Sequence, residues 1–96
     1  MRTIRYTNQF KRDYKREKSG KSRQHSKLLD DALMEAVEML AADKPLPASK
    51  RDHPLGGAWS DHRDCHIRPD LVLIYRKPDA ANLDLVRLGS HSEPGL

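Results

Sequence analysis

Trp59–Arg76, WSDHRDCHIRPDLVLIYR, is the stretch whose reading decides the fold. Pro69-Asp70 splits it, because Pro cannot donate to a central ladder and Pro-Asp favours a turn. Before the turn, Arg63 to Arg68 alternates. Strand side chains have a period of two, so Cys65 and Ile67 point one way and Asp64, His66 and Arg68 the other. After the turn, Leu71-Val72-Leu73-Ile74-Tyr75 is an unbroken apolar run, which suits a strand covered on both faces in the middle of a sheet. A buried strand thus lies beside one that carries two ionisable groups, Asp64 and His66, on a single face. Titratable groups on a rigid scaffold are how a site is built.

The rest of the chain arranges itself around this hairpin. C-terminal to it, Pro78-Asp79 turns the chain, and Asn82 to Leu88 reads as a last strand with Leu83 and Leu85 on one face, Val86 and Leu88 on the other. Gly89 onward reads as a tail. At the N-terminus, Thr3 to Thr7 is a short strand. Thr7 or Asn8 can cap a helix starting near Gln9, whose apolar stripe is Phe10 and Tyr14 and which Ser19-Gly20 ends. Gly20 to Ser26 reads as a polar, basic connection. Ser26 can cap a second helix over about 27–42, with Asp30 and Asp31 in its first turns. Leu29, Leu33, Ala36, Val37 and Leu40 recur along it at helical spacing, and Met34 and Met39 serve as gap-fillers. Lys44-Pro45-Leu46-Pro47 stops it, and a loop runs to about Ala58. The order β-α-α-β-β-β implies an α+β fold: one small sheet with strands from both ends and two helices packed on one face. Residues 1–96 read as a single domain.

Composition narrows the function. Apolar residues make up 36% of the chain and charged ones 33%, so the core is modest and drawn from a few segments. Positions 1–28 hold ten Lys or Arg against two acids, Asp13 and Glu17. Such a patch favours an anionic partner, whether RNA, DNA, ribosome or acidic protein; a solvated helix face accounts for the same residues. Cys65 is the single cysteine, so no internal disulfide forms, which suits a reducing, cytoplasmic setting. Its place on the apolar side of a strand makes it a buried structural thiol rather than a nucleophile. No apolar h-region follows Met1, and no apolar run approaches the roughly 18 residues a membrane span needs, so neither a signal peptide nor a membrane partner is expected.

Five histidines in 96 residues is a rich supply, and three sit just off the sheet: His53, His66 and His91. Histidine titrates near neutrality and can give or take a proton there. Asp52, Asp64 and Asp70 lie close in sequence, as do the cations Lys50, Arg51, Arg63 and Arg87. Phosphodiester chemistry needs a base, an acid and positive charge on the developing oxyanion. The same residues also have plain structural readings: His53 a turn residue, His66 a surface partner of Asp64, His91 part of a tail. His25 and His62 read as surface. His62 and His66 have zinc-pair spacing only on a helix, and here the prediction is a strand, so no metal and no cofactor is expected.

Four blocks carry a family resemblance: Lys50-Arg51-Asp52-His53-Pro54-Leu55, then Gly57-Ala58-Trp59, then Arg63 to Tyr75, then Arg87-Leu88-Gly89-Ser90-His91-Ser92-Glu93. In order and spacing they resemble the YafQ-like toxins of the RelE/ParE superfamily, from bacterial type II toxin–antitoxin systems. The resemblance implies a RelE-like fold and a ribosome-dependent mRNA interferase that cuts mRNA in the decoding site by metal-independent attack of the ribose 2′-OH. It implies catalytic roles for His53, His66, His91, Asp64, Asp70 and Arg87. His53 and His91 form the acid/base pair, His66 and Asp70 position or activate, and Arg87, Lys50 and Arg51 stabilise phosphate charge. Arg63, with Lys11, Lys15 and Arg16 of the basic patch, is expected to hold RNA. The implied partners are ribosome and mRNA, and a small acidic antitoxin of RelB/DinJ type, through which the complex binds operator DNA. The end of the chain departs from the family: Ser92-Glu93-Pro94-Gly95-Leu96 has no base-stacking aromatic. Two other functions fit the same fold: a degenerate toxin kept as an antitoxin-binding co-repressor, and a ParE-type topoisomerase inhibitor.

Overall fold

In the computed structural model, which describes residues 1–90, the chain runs β1 (Thr3–Tyr6), α1 (Asn8–Lys18), α2 (Arg23–Ala41), β2 (His53–Pro54), β3 (Arg63–Arg68), β4 (Leu71–Arg76) and β5 (Asn82–Ser90). Short 3-10 turns stand at Ala48–Lys50 and Gly57–Trp59. The strands form one sheet in the order β1-β5-β4-β3-β2, so the apolar run is the central strand. β1 pairs with β5 in parallel and the other neighbours are antiparallel. The fold is α+β, with one strand more than the sequence suggested. β2 is that strand. At two residues it is too short for alternation to reveal, and Pro54 is tolerated because it lies at the sheet edge.

The helices cover one face. Phe10, Leu29, Val37 and Leu40 pack with Cys65, Ile67, Leu71, Leu73, Tyr75, Leu83, Leu85 and Leu88. Burying each such large side chain stabilises the fold by about 1.5–3 kcal/mol. Val72 and Ile74 point to the other face and are each only 1% exposed, so β4 is covered on both sides.

Five local expectations are corrected. α2 starts at Arg23, not Lys27: the Ser22 hydroxyl, rather than Ser26, caps it by accepting from the His25 N–H at 3.1 Å. The added turn is all polar, so no apolar period announced it. Asp30 and Asp31 therefore lie beyond the first turn, and Asp30 instead accepts from the Tyr14 hydroxyl at 2.5 Å and from Lys18 Nζ at 2.9 Å. In β5, Leu88 shares the core face with Leu83 and Leu85. Ile74 pairs with Arg87 but Tyr75 with Leu85, so Val86 is an extra residue that resets the alternation. The strand also runs on through Gly89 and Ser90. Met34 is not a gap-filler: it is 56% exposed.

β1 is shorter than β5, which leaves part of an edge open, and α1 occupies it. The Thr7 hydroxyl donates to the Val86 carbonyl at 2.7 Å and also caps α1, accepting from the Phe10 N–H. Asp13 Oδ2 accepts from the Leu88 N–H at 3.0 Å, and Arg16 Nη2 donates to the Leu88 carbonyl at 3.0 Å. Helix side chains stand in for a missing strand, so this edge is not left as a pairing template.

Candidate functional site

β2 brings His53 opposite Asp64 on β3. The approach is set one residue earlier. Arg51 adopts a left-handed conformation, φ 49°, at the end of the 3-10 turn, so its carbonyl turns back to His53 Nδ1 at 2.7 Å. Asp64 Oδ1 stands 3.0 Å from the same nitrogen. A carbonyl and a carboxylate can only accept, so Nδ1 carries the proton. In the neutral ring Nε2 therefore keeps its lone pair. Half of the His53 side chain (51%) is exposed, whereas Asp64 is buried.

A second contact fixes the register of this segment. Asp52 precedes His53 and reaches the opposite, helix-covered face. There its Oδ1 accepts from the buried Tyr75 hydroxyl at 2.5 Å and from Arg63 Nε at 3.2 Å. Arg63 and Tyr75 are themselves paired across β3 and β4. Burial and the neighbouring Asp52 carboxylate both push the Tyr75 phenol up, so it remains a donor. This latch joins the Lys50–Pro54 segment to the centre of the sheet. Tyr75 carried one sequence signal for it: a tyrosine at the end of a fully buried strand needs a partner for its hydroxyl.

His66 lies two residues beyond Asp64 on the same strand and pairs with Val72. It lines a groove of about 430 Å³ together with Ser49, Lys50, Arg51, Ile67, Arg68 and Pro69. Asp70 is exposed in the β3–β4 turn. Cys65 is fully buried and its thiol is pushed up to about 12 by that burial, which fits the structural reading. His62 is not a surface residue: only 14% of its side chain is exposed, it meets Trp59 edge-on, and Asp61 lies 2.7 Å from its Nδ1. Among the described residues no group of three His, Cys, Asp or Glu side chains could hold a metal ion.

The family model for the YafQ bacterial toxin of type II toxin–antitoxin systems matches residues 2–94. The chain belongs to the YafQ toxin family. It is 37% identical to the mRNA interferase toxin YafQ of Escherichia coli K12 over 92 residues, 95% of this chain and 92% of that protein. A copper-bound mutant toxin from Helicobacter pylori superposes with a TM-score of 0.82 at 36% identity, covering 98% of this chain and 99% of that one. The E. coli DinJ–YafQ complex superposes with a TM-score of 0.77 at 32% identity, over 96% of both chains.

In this YafQ-family chain the residues expected at the site do not all converge. His53, Asp64, Arg63, Lys50, Arg51 and His66 gather on β3 and the segment before it. Arg87 shares a sheet row with Ile74 and Asp64, roughly 10 Å from Asp64 at two inter-strand spacings. Its Nε donates to Asp13 at 2.8 Å. Asp13 is fully buried and also accepts from Gln9, Arg16 and the Leu88 N–H. Burial alone would raise its carboxyl; hydrogen bonds from Arg87, Leu88 and Gln9 prevail and hold it below the usual carboxylate range. Arg87 is thus anchored before any ligand arrives. Arg16 is also anchored, by Asp13 and the Leu88 carbonyl, whereas Lys15 is exposed. Lys11 borders an apolar groove of about 520 Å³ that includes Ile4, Tyr6, Phe10, Leu33 and Met34. His91 lies outside the described residues. Tyr75 and Arg68 are the neighbours of the site that the sequence reading had not placed there.

Proposed function

We propose that this chain is the toxin of a type II toxin–antitoxin pair, an endoribonuclease that cuts ribosome-bound mRNA in the cytoplasm by metal-independent transfer. The ribose 2′-oxygen attacks the adjacent phosphorus and loses its proton to a base. The P–O5′ bond breaks, and an acid protonates the leaving 5′-oxygen. The products are a 2′,3′-cyclic phosphate and a 5′-hydroxyl. His53 is the base: its Nδ1–H is held by the Arg51 carbonyl, which leaves Nε2 to take the proton, and the Asp64 carboxylate, with Oδ1 3.0 Å from Nδ1, stabilises the imidazolium that forms. That geometry is the observation that carries the reading. His91 supplies the acid, His66 and Asp70 position the substrate, and Lys50, Arg51 and Arg87 offset phosphate charge, with Arg63 securing the segment.

The DinJ–YafQ complex supports an antitoxin partner, and the basic patch at positions 1–28 favours a small acidic one. Its amphipathic helix lies in the apolar groove beside Lys11, where Tyr6 and Met34 are 51% and 56% exposed. Lys15 and the rest of the basic patch meet ribosomal RNA, and operator DNA is reached through the antitoxin.

The test is incubation of mRNA with the purified protein, with and without translating ribosomes and with EDTA, cuts being mapped by primer extension. Cuts only with ribosomes and insensitive to chelation are expected. Cuts on free mRNA would make it an autonomous ribonuclease, and no cuts from folded protein would favour the co-repressor or topoisomerase-binding roles.

A further inference from the structure

The sheet's arginines divide into two sets. Arg5 and Arg76 pair with Asp84, Arg63 with Asp52, and Arg87 with Asp13. Arg68 pairs with no carboxylate among the described residues, and neither does Arg51 across the groove from it. Both line the 430 Å³ groove with Lys50, Ser49 and His66, and among the described residues no carboxylate lines it. Three cations around one concavity repel one another when it is empty, and that cost is recovered only when an anion enters. The groove is also held open from outside. Lys50 and Arg51 sit on the segment that Asp52 ties to Tyr75 and Arg63, while Arg68 sits on the shoulder of the β3–β4 turn, where the register slips between His66 and Arg68.

We infer that this groove is a backbone-phosphate subsite for RNA, with Arg68 and Arg51 clamping the phosphate of the nucleotide beside the one that is cut. The inference rests on the RNA-cleaving function proposed above and adds Arg68 to its binding residues. Direction follows from the layout: the strand passes from the half-exposed His53 edge over His66 into the groove toward the Arg68 turn. Arg68 touches no reacting atom. It binds ground state and transition state alike, so its loss raises KM and leaves kcat unchanged.

The test uses the intact protein and a short 2′-O-methyl RNA, which cannot be cut, titrated at several salt concentrations and followed by backbone amide NMR. Shifts are expected at Ser49, Lys50, Arg51, Ile67 and Arg68. Arg68→Gln is expected to weaken binding by roughly three- to fivefold and to lower the log–log salt slope by about 0.7, the loss of one single-strand phosphate contact. Arg68→Lys should keep the slope. Lys44→Gln, an exposed cation just after α2 and outside the basic patch, should change neither value and reports the effect of net charge alone. Unaltered binding by Arg68→Gln, an equal loss in Lys44→Gln, or shifts confined to other surfaces would each overturn the subsite. Cleavage of ribosome-bound mRNA by the unaltered protein is assayed alongside. Binding in the groove without cleavage would sink the nuclease function and leave the subsite standing; cleavage without groove binding would do the reverse.

Discussion

Two regions of this molecule combine arginine with aspartate, and they do opposite things. At the α1–β5 edge, Asp13 is fully buried and receives Gln9, Arg16, Arg87 and the Leu88 N–H. At the β2–β3 edge, Asp64 holds one face of a half-exposed histidine, and Arg51 and Arg68 pair with no carboxylate among the described residues. The first arrangement is closed: its donors and acceptors meet each other, so it contributes structure. The second is open: its charges and its imidazole lone pair face outward, so it can act on something else. Residue type does not separate the two. Burial and the number of local partners do.

Four experiments would break or sharpen that contrast. The largest effect is expected at the open edge: His53→Ala should lower mRNA cleavage by about 10²–10⁴-fold, the usual contribution of a general base, while the melting temperature hardly changes. Cleavage and melting of the same preparation check both halves. At the closed edge, Asp13→Ala should cost about 3–5 kcal/mol in urea unfolding, because Arg87 and the Leu88 N–H lose their acceptor inside the structure. If Asp13→Ala left stability intact and only slowed cleavage, the edge would be catalytic and the contrast would fail.

Tyr75→Phe is intermediate. It removes the buried donor to Asp52 at a cost of about 1.5–3 kcal/mol, the range for hydrogen bonds to charged groups. It should also alter the pH–rate profile through the loosened His53, as should Asp52→Ala, which removes the acceptor of the same bond. The smallest effect is the acid limb of stability. Asp43 is lowered from 3.8 to about 2 by hydrogen bonds from Lys77 and Arg2. Asp84 is lowered by the Arg5 hydrogen bond against opposing desolvation, and Asp13 is lowered as well. Carboxyls with depressed folded-state values bind fewer protons folded than unfolded, so their stabilisation is complete above the unfolded value. It should fade as the pH drops from about 4 to about 2, which a series of thermal melts would trace. In Asp13→Asn that limb should be shallower.

Much of the fold was legible because its signals are periodic and local. The run Leu71–Tyr75 suits a covered strand and is one, and Ser19-Gly20 ends α1 where expected. Two of the misses needed a partner from elsewhere in the chain, while the start of α2 rests on a local polar cap that no apolar period marks. Leu88's face depends on a bulge set by β4, and β2 on an edge offered by β3. The site divides in the same way.

By itself the sequence determined the α+β layering, the central strand, the family and which histidines and cations are candidates for a site, since side-chain type and spacing suffice for those. Only the tertiary structure decided which of these residues are committed. It tied Arg87 to buried Asp13, turned Arg51 left-handed so that its carbonyl fixes the proton of His53 beside Asp64, and left Arg68 facing a groove that no carboxylate of the described residues lines. The reason is physical: whether a charge is structural or available depends on burial and on partners distant in sequence, and these exist only once the sheet has closed.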